Sequence, residues 1–94
     1  MKQFLVLIKD FTDDDCINRR LSVREKHIKN NSILKSSGKV LVLGGALTDK
    51  DSVMRASSLL CQADTPEQVR EQLQKDIYVE AKVWDMSTFK IFEC

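Results

Sequence analysis

Phe4-Leu5-Val6-Leu7-Ile8 is apolar at every position. A strand with one wet face alternates apolar and polar residues, so an unbroken apolar run of this length belongs in the middle of a sheet covered on both sides. Lys9-Asp10 ends the run. The segment from Phe11 to Asp15, with aspartates at 13, 14 and 15, reads as a loop. The opening residues offer no small-residue cleavage site after a long apolar core, so they read as a first strand rather than a signal peptide.

Ser22-Val-Arg-Glu25 matches the capping box, in which the serine hydroxyl accepts from the backbone N–H of the glutamate and the carboxylate reaches back. This places a helix start at Ser22, with residues 16–21 offering an extra turn before it. Gly38, after Ser36-Ser37, supplies a left-handed stop. Val40–Leu43 is a second apolar run that Gly44-Gly45 is expected to end, and 46–52 is turn material. Residues 53–61 alternate as a half-buried strand. Thr65-Pro-Glu-Gln68 is a second helix start, with threonine as cap and proline at the first helical position. Val69, Leu73 and Ile77 give that helix its core stripe. Residues 82–92 alternate again, with Phe89 and Ile91 on one face and Trp84, Met86 and Phe92 on the other; they read as a last strand.

The resulting order, β-α-β-β-α-β, is that of a ferredoxin-like α+β sandwich, in which two helices cover one face of a four-stranded antiparallel sheet. The first and last strands carry large apolar residues on both faces, while only two helices are available to cover them. A second copy packing sheet to sheet as a homodimer answers that need better than a monomer with an open polar face.

Composition sets the outer limits. The chain of 94 residues holds one core, and residues 1–94 are expected to form a single domain. A net charge of +1 recruits neither nucleic acid nor anionic membrane, and no apolar run reaches the ~20 residues of a membrane span. Cys16, Cys61 and Cys94 are odd in number and include no CxxC pair, so neither a disulfide framework nor a zinc site is expected. Reduced thiols of a cytoplasmic protein, small and inert, are the simplest reading.

The chain has one histidine, His27, the residue type best suited to exchange a proton near neutral pH. If the first strand runs upward, the first helix descends from its cap with His27 near the top. The second helix rises, and its carboxy end delivers Asp76 to the same level. Gly44-Gly45, closing the rising second strand, arrives there too. A carboxylate accepting one ring N–H fixes the tautomer and makes the other nitrogen a better base. Against this stands the commoner fate of a helix histidine that merely forms a salt bridge. Tyr78 either joins the cleft or fills the core. Arg19, Arg20, Arg24, Lys26, Lys29, Lys35 and Lys39 form a basic run with Glu25 as its one acid. The run has no aromatic residue to stack on a base, so Arg20 and Arg24 are better candidates for holding a small anionic ligand than for nucleic acid. Gly44-Gly45 lacks the further residues of a phosphate loop.

Arg20-Leu-Ser-Val-Arg24-Glu-Lys-His27, the glycines at 38 and 44, and Asp76-Ile-Tyr78 together resemble the YciI-like family of the dimeric α/β barrel superfamily, over nearly the whole chain. The resemblance implies a ferredoxin-like subunit, a sheet-to-sheet homodimer, and a cleft with His27 and Asp76 as a catalytic dyad. Arg20, Arg24, Tyr78 and Gly44 would bind substrate, and neither metal nor organic cofactor is implied. The family usually has proline where Glu25, Gly45 and Ile77 stand; isoleucine at 77 leaves the backbone after Asp76 freer. The implied activity is lyase- or dehydrochlorinase-like proton transfer or elimination on a small cyclic or carbonyl compound. The competing reading is a non-catalytic dimeric metabolite-binding or stress-related module. A third has the basic first helix docking to an anionic partner.

Overall fold

The computed structural model describes residues 1–38 and 40–94; Lys39, counted above in the basic run, lies outside the described residues. Strands β1 (Lys2–Lys9), β2 (Leu41–Thr48), β3 (Met54–Ala63) and β4 (Lys90–Glu93) form one antiparallel sheet in the order β2-β3-β1-β4. Besides helices α1 (Cys16–Ser36) and α2 (Pro66–Gln74) there are a short third helix, α3 (Ile77–Glu80), and a 3-10 turn at Met86–Thr88, both after α2. This is the ferredoxin-like α+β sandwich, with β1 central as its apolar run requires. Phe4, Val6 and Ile8 point inward with Leu59, Cys61 and Ala63 of β3, and Val69, Leu73, Tyr78, Val83 and Trp84 close the core from above.

Four boundaries differ from the sequence reading. Helix α1 starts at Cys16, and Ser22 is not its cap: the Ser22 hydroxyl donates to the Arg19 carbonyl inside the helix. The turn at 16–20 is tied down by distant partners, with Cys16 against the Val83 carbonyl and Arg20 on Asp10, and these outweigh a local capping signal. The lower end follows expectation, with Gly38 at φ +68°. Strand β2 passes straight through Gly44-Gly45, which pair with Leu59 and Ser58, because the β3 ladder continues beneath them.

Helix α2 has the expected capping box at Thr65 and Gln68 but ends at Gln74, so Ile77 lies in α3. The last strand is short. Trp84 makes one isolated bridge to Asp10, then Asp85 caps the 3-10 turn, and pairing resumes only at Lys90. That break resets the alternation: Trp84 is buried in the core while Phe92 is exposed on the outer face.

The outer, helix-free face carries an apolar row across all four strands. Phe92 stands opposite Leu5, Leu5 opposite Leu60, and Leu60 opposite Leu43. Phe92, Leu5 and Leu43 are 51%, 39% and 59% exposed.

Candidate functional site

Between α1 and the β2–β3 side of the sheet lies a cleft of about 380 Å³, lined among others by Arg24, His27, Asn31, Gly44, Ser57 and Tyr78. Its floor begins with a buried ion pair. Arg20 Nη1 donates to both Asp10 carboxylate oxygens at 2.7 Å, with the two side chains only 3% and 4% exposed. Burial pushes the Asp10 carboxyl above its ordinary value while Arg20 pulls it down, and burial prevails. Arg20 Nη2 continues to the Ser57 hydroxyl at 3.0 Å, and Trp84 Nε1 donates to that same oxygen at 2.9 Å. With both lone pairs of Ser57 Oγ occupied, its own proton is left to donate elsewhere. Arg20 Nε is the one buried side-chain polar atom without a partner among the described residues.

On this floor stands an aromatic stack. The Arg20 guanidinium lies 4.9 Å from the Tyr78 ring centre, and the other face of the site is built by His27 stacked on Tyr78 at 3.7 Å and 9°. Trp84 meets both rings edge-on. Tyr78 therefore fills the core and walls the cleft at once; its burial raises the hydroxyl above the usual phenol range.

His27 Nδ1 lies 2.7 Å from Asp76 Oδ1, with side-chain exposures of 12% and 8%. The sequence reading anticipated this meeting but not the way it comes about. His27 is not near the start of its helix; it sits in the middle of α1, since α1 begins six residues before Ser22. Asp76 reaches it because α2, nine residues long, rises only about 14 Å, the same span that separates His27 from the far end of α1. Asp76 does not end α2, as the sequence reading had it. It is the cap of α3, where Oδ1 accepts from the Tyr78 backbone N–H at 2.9 Å. That bond aims the carboxylate, and Ile77 occupies the first helical position, where proline is also tolerated.

The remaining anticipated residues divide. Arg20 has both Nη groups committed within the protein, so it cannot clamp a ligand carboxylate with its terminal fork. Arg24 lines the cleft with an exposed side chain and no ion pair among the described residues. Gly44 lines the cleft from within β2. The basic run is divided: Arg19 turns to Asp13 and the Lys82 carbonyl, and Arg20 is buried. Cys16, Cys61 and Cys94 are all free; Cys16 opens α1, and burial pushes the Cys61 thiol up to about 12, far from a nucleophile.

Four contributors escaped the sequence reading: Asp10, Ser57, Trp84 and Asn31. The first three meet only through long-range folding. Asn31 stands four residues after His27 on one helix face, a spacing visible in sequence, and its Nδ2 lies 3.0 Å from His27 Nε2.

A ferredoxin-like sandwich whose first helix and sheet enclose a cleft with a histidine–carboxylate contact describes a class of small α+β domains. Within that class the chain belongs to the YCII-related domain family, whose model matches residues 3–92. It is similar to the fusaric acid biosynthesis protein 2 of Gibberella fujikuroi and of Gibberella moniliformis, each 24% identical over 97 aligned positions covering 98% of this chain and 91% of theirs. It is also similar to a part of the aspartate kinase FUB3 of Fusarium oxysporum, at 25% identity over 98% of this chain, and spans just 18% of that protein's length. Among solved structures, the 5-chloro-2-hydroxyhydroquinone dehydrochlorinase of Burkholderia phenoliruptrix, in complex with 2,5-dihydroxybenzoquinone, superposes with a TM-score of 0.74 at 19% identity, covering 96% of this chain and 90% of that one. That likeness is one of fold.

Proposed function

We propose that residues 1–94 form a small cofactor-independent acid–base enzyme, acting by proton transfer or elimination on a hydroxylated ring or related carbonyl compound. The observation that carries the reading is the 2.7 Å contact between His27 Nδ1 and Asp76 Oδ1 at the wall of a cleft large enough for a single ring. Asp76, ionised, accepts the Nδ1 proton and favours the imidazolium when Nε2 takes a second one. Arg24 adds positive potential at the mouth, and the Ser57 hydroxyl offers a proton to a ligand oxygen. Tyr78 holds the imidazole plane, and Gly44 leaves room opposite it. The dehydrochlorinase with the same fold supports this choice of substrate class.

The reading includes a homodimer. The row Phe92–Leu5–Leu60–Leu43 spans the open face of the sheet, and a second sheet laid on it would remove that surface from water. It also places the protein in a reducing compartment such as the cytoplasm, where its free thiols persist.

Long-range 1H–15N NMR of the His27 ring tests the reading. The neutral ring is expected to carry its proton on Nδ1, and Asp76→Ala is expected to shift population toward Nε2–H. Chloride release from 5-chloro-2-hydroxyhydroquinone, abolished in His27→Asn, would extend it to chemistry. A wild-type ring protonated on Nε2 in its neutral form refutes it. The competing reading, a non-catalytic metabolite-binding module, draws on one observation: Nε2 is already hydrogen-bonded.

A further inference from the structure

The nitrogen of His27 that should receive a proton is not open. An ionised carboxylate accepts and never donates, so the hydrogen bond to Asp76 puts the proton on Nδ1. In the neutral ring Nε2 then carries the lone pair, and the group facing it must be a donor. Asn31 Nδ2 is that donor, at 3.0 Å. Asn31 is only partly buried and lines the same cleft, so its amide can swing about its side-chain torsions without moving α1.

A ligand that gives its proton to His27 must therefore enter between Nε2 and the Asn31 amide. We propose that Asn31 is a catalytic donor in this site. A ligand hydroxyl inserts between Asn31 Nδ2 and His27 Nε2, passes its proton to Nε2, and is held afterwards as an oxygen anion by the Asn31 N–H. The inference rests on the acid–base reading of His27 and Asp76 and adds to it the group that stabilises the product of proton transfer. The O–H bond breaks and an Nε2–H bond forms; the electron pair stays on oxygen. The neutral pair becomes imidazolium and oxyanion, so net charge is conserved, and Asp76 faces the new cation. Two hydrogen bonds of about 2.8 Å meeting at the inserted oxygen need Nδ2 and Nε2 to part to roughly 4.5–5 Å, which one torsional step of a short amide side chain provides. Arg24 and Lys35, both lining the cleft, favour the anionic product. The ligand class this selects is a compound with an ionisable hydroxyl, a phenol or an enol, over the same skeleton without one.

The test uses 4-nitrophenol, whose phenolate absorbs in the visible, and 4-nitroanisole, which has no hydroxyl. Wild type is expected to bind 4-nitrophenol with an increased phenolate fraction and with movement of both the His27 Nε2 and the Asn31 side-chain amide signals, and to leave those signals unmoved by 4-nitroanisole. Asn31→Leu is expected to lower affinity for the phenolate by about tenfold, the loss of one hydrogen bond to a charged oxygen. Equal or tighter binding by Asn31→Leu would make Asn31 a mere cap and overturn the inference, while leaving His27 and Asp76 their role. If His27→Asn also binds 4-nitrophenol like wild type, the acid–base reading itself falls. Failure of wild type to bind 4-nitrophenol overturns the inference, while the acid–base reading then stands or falls with the His27 tautomer.

Discussion

Arg20→Met removes the cation from an ion pair whose anion has nowhere to go. Nη1 is 2.7 Å from both oxygens of Asp10, and the two side chains are 3% and 4% exposed. Methionine retains the apolar stem, so the change is mostly electrostatic. Breaking a buried pair from one side costs about 3–5 kcal/mol, because the remaining charge is left unsolvated and unpaired. A chain of 94 residues has roughly 5–14 kcal/mol to lose at ~0.05–0.15 kcal/mol per residue. With a urea slope of about 1.5 kcal/mol/M, the midpoint should fall by roughly 2–3 M near neutral pH.

The pH dependence has a definite sign. Asp10 has a folded-state value raised above 3.8 by burial, so its contribution is fully present below 3.8 and is lost as pH rises through the folded value. Removing Arg20 removes the downward pull, and the window extends upward. The variant should recover part of its deficit at a mildly acidic pH relative to neutral pH, because its Asp10 carboxyl, without the pull of Arg20, is more readily protonated in the folded state. Urea unfolding followed by the single tryptophan, Trp84, at both pH values measures this. Adding Asp10→Leu should restore most of the loss by removing the orphaned charge. A deficit under about 1 kcal/mol at neutral pH, or one equal at the two pH values, would refute this account of the cleft floor.

Leu5→Glu combined with Leu60→Glu places charges in the middle of the outer apolar row, and sedimentation equilibrium should find a dimer in wild type and a monomer in the variant; a wild-type monomer at all concentrations would remove the sheet-to-sheet dimer. Cys94 alone should react with a thiol reagent in the native protein, with Cys16 and Cys61 following only on unfolding, since burial raises both of their thiols and pushes Cys61 up to about 12. At the acid end, hydrogen bonds from Arg19 hold the Asp13 carboxyl low, and those from Arg55 and the Val53 backbone do the same for Asp49. These contributions are present above 3.8 and lost as pH falls through the depressed folded values, so Arg19→Ala and Arg55→Ala should flatten the acid limb of a stability–pH curve.

Sequence reading succeeded where one local rule acted alone. Thr65-Pro-Glu-Gln68 opens α2 because no distant contact competes with its cap, and Phe4–Ile8 is central because an apolar run has nowhere else to lie. It failed where local and distant preferences disagreed. Ser22 and Glu25 satisfy a capping box on paper, yet Arg20 must reach Asp10 from the same helix, and a buried pair outweighs a cap worth about 1 kcal/mol. Gly44-Gly45 look like a turn until the β3 ladder beneath them is known. Trp84 belongs by alternation with Phe92, but the Asp85 cap inserts a 3-10 turn between them and sends the two to opposite sides of the sheet. The partners of His27 were half legible: Asn31, four positions along the helix, can be found by counting, whereas Trp84 comes from across the fold.

The meeting of His27 with Asp76 was anticipated from chain direction, yet direction alone does not suffice. Two helices of unequal length can bring their residues level in only one register, and here the register is set by where α2 stops. Nine residues from Pro66 to Gln74 cover the same distance as the lower part of α1, so one more helical turn would carry the carboxylate about 5 Å past the imidazole. What ends α2 at that point is the cap of α3: Asp76 leaves the helical conformation at φ −67° and ψ 145° so that its Oδ1 can take the Tyr78 N–H. The oxygen that lies 2.7 Å from His27 Nδ1 is therefore the oxygen that caps α3, and the residue whose N–H it holds, Tyr78, is the one on which His27 stacks. One carboxylate and one tyrosine thus hold the position and plane of the ring, and they do so in a chain with isoleucine in place of proline at 77.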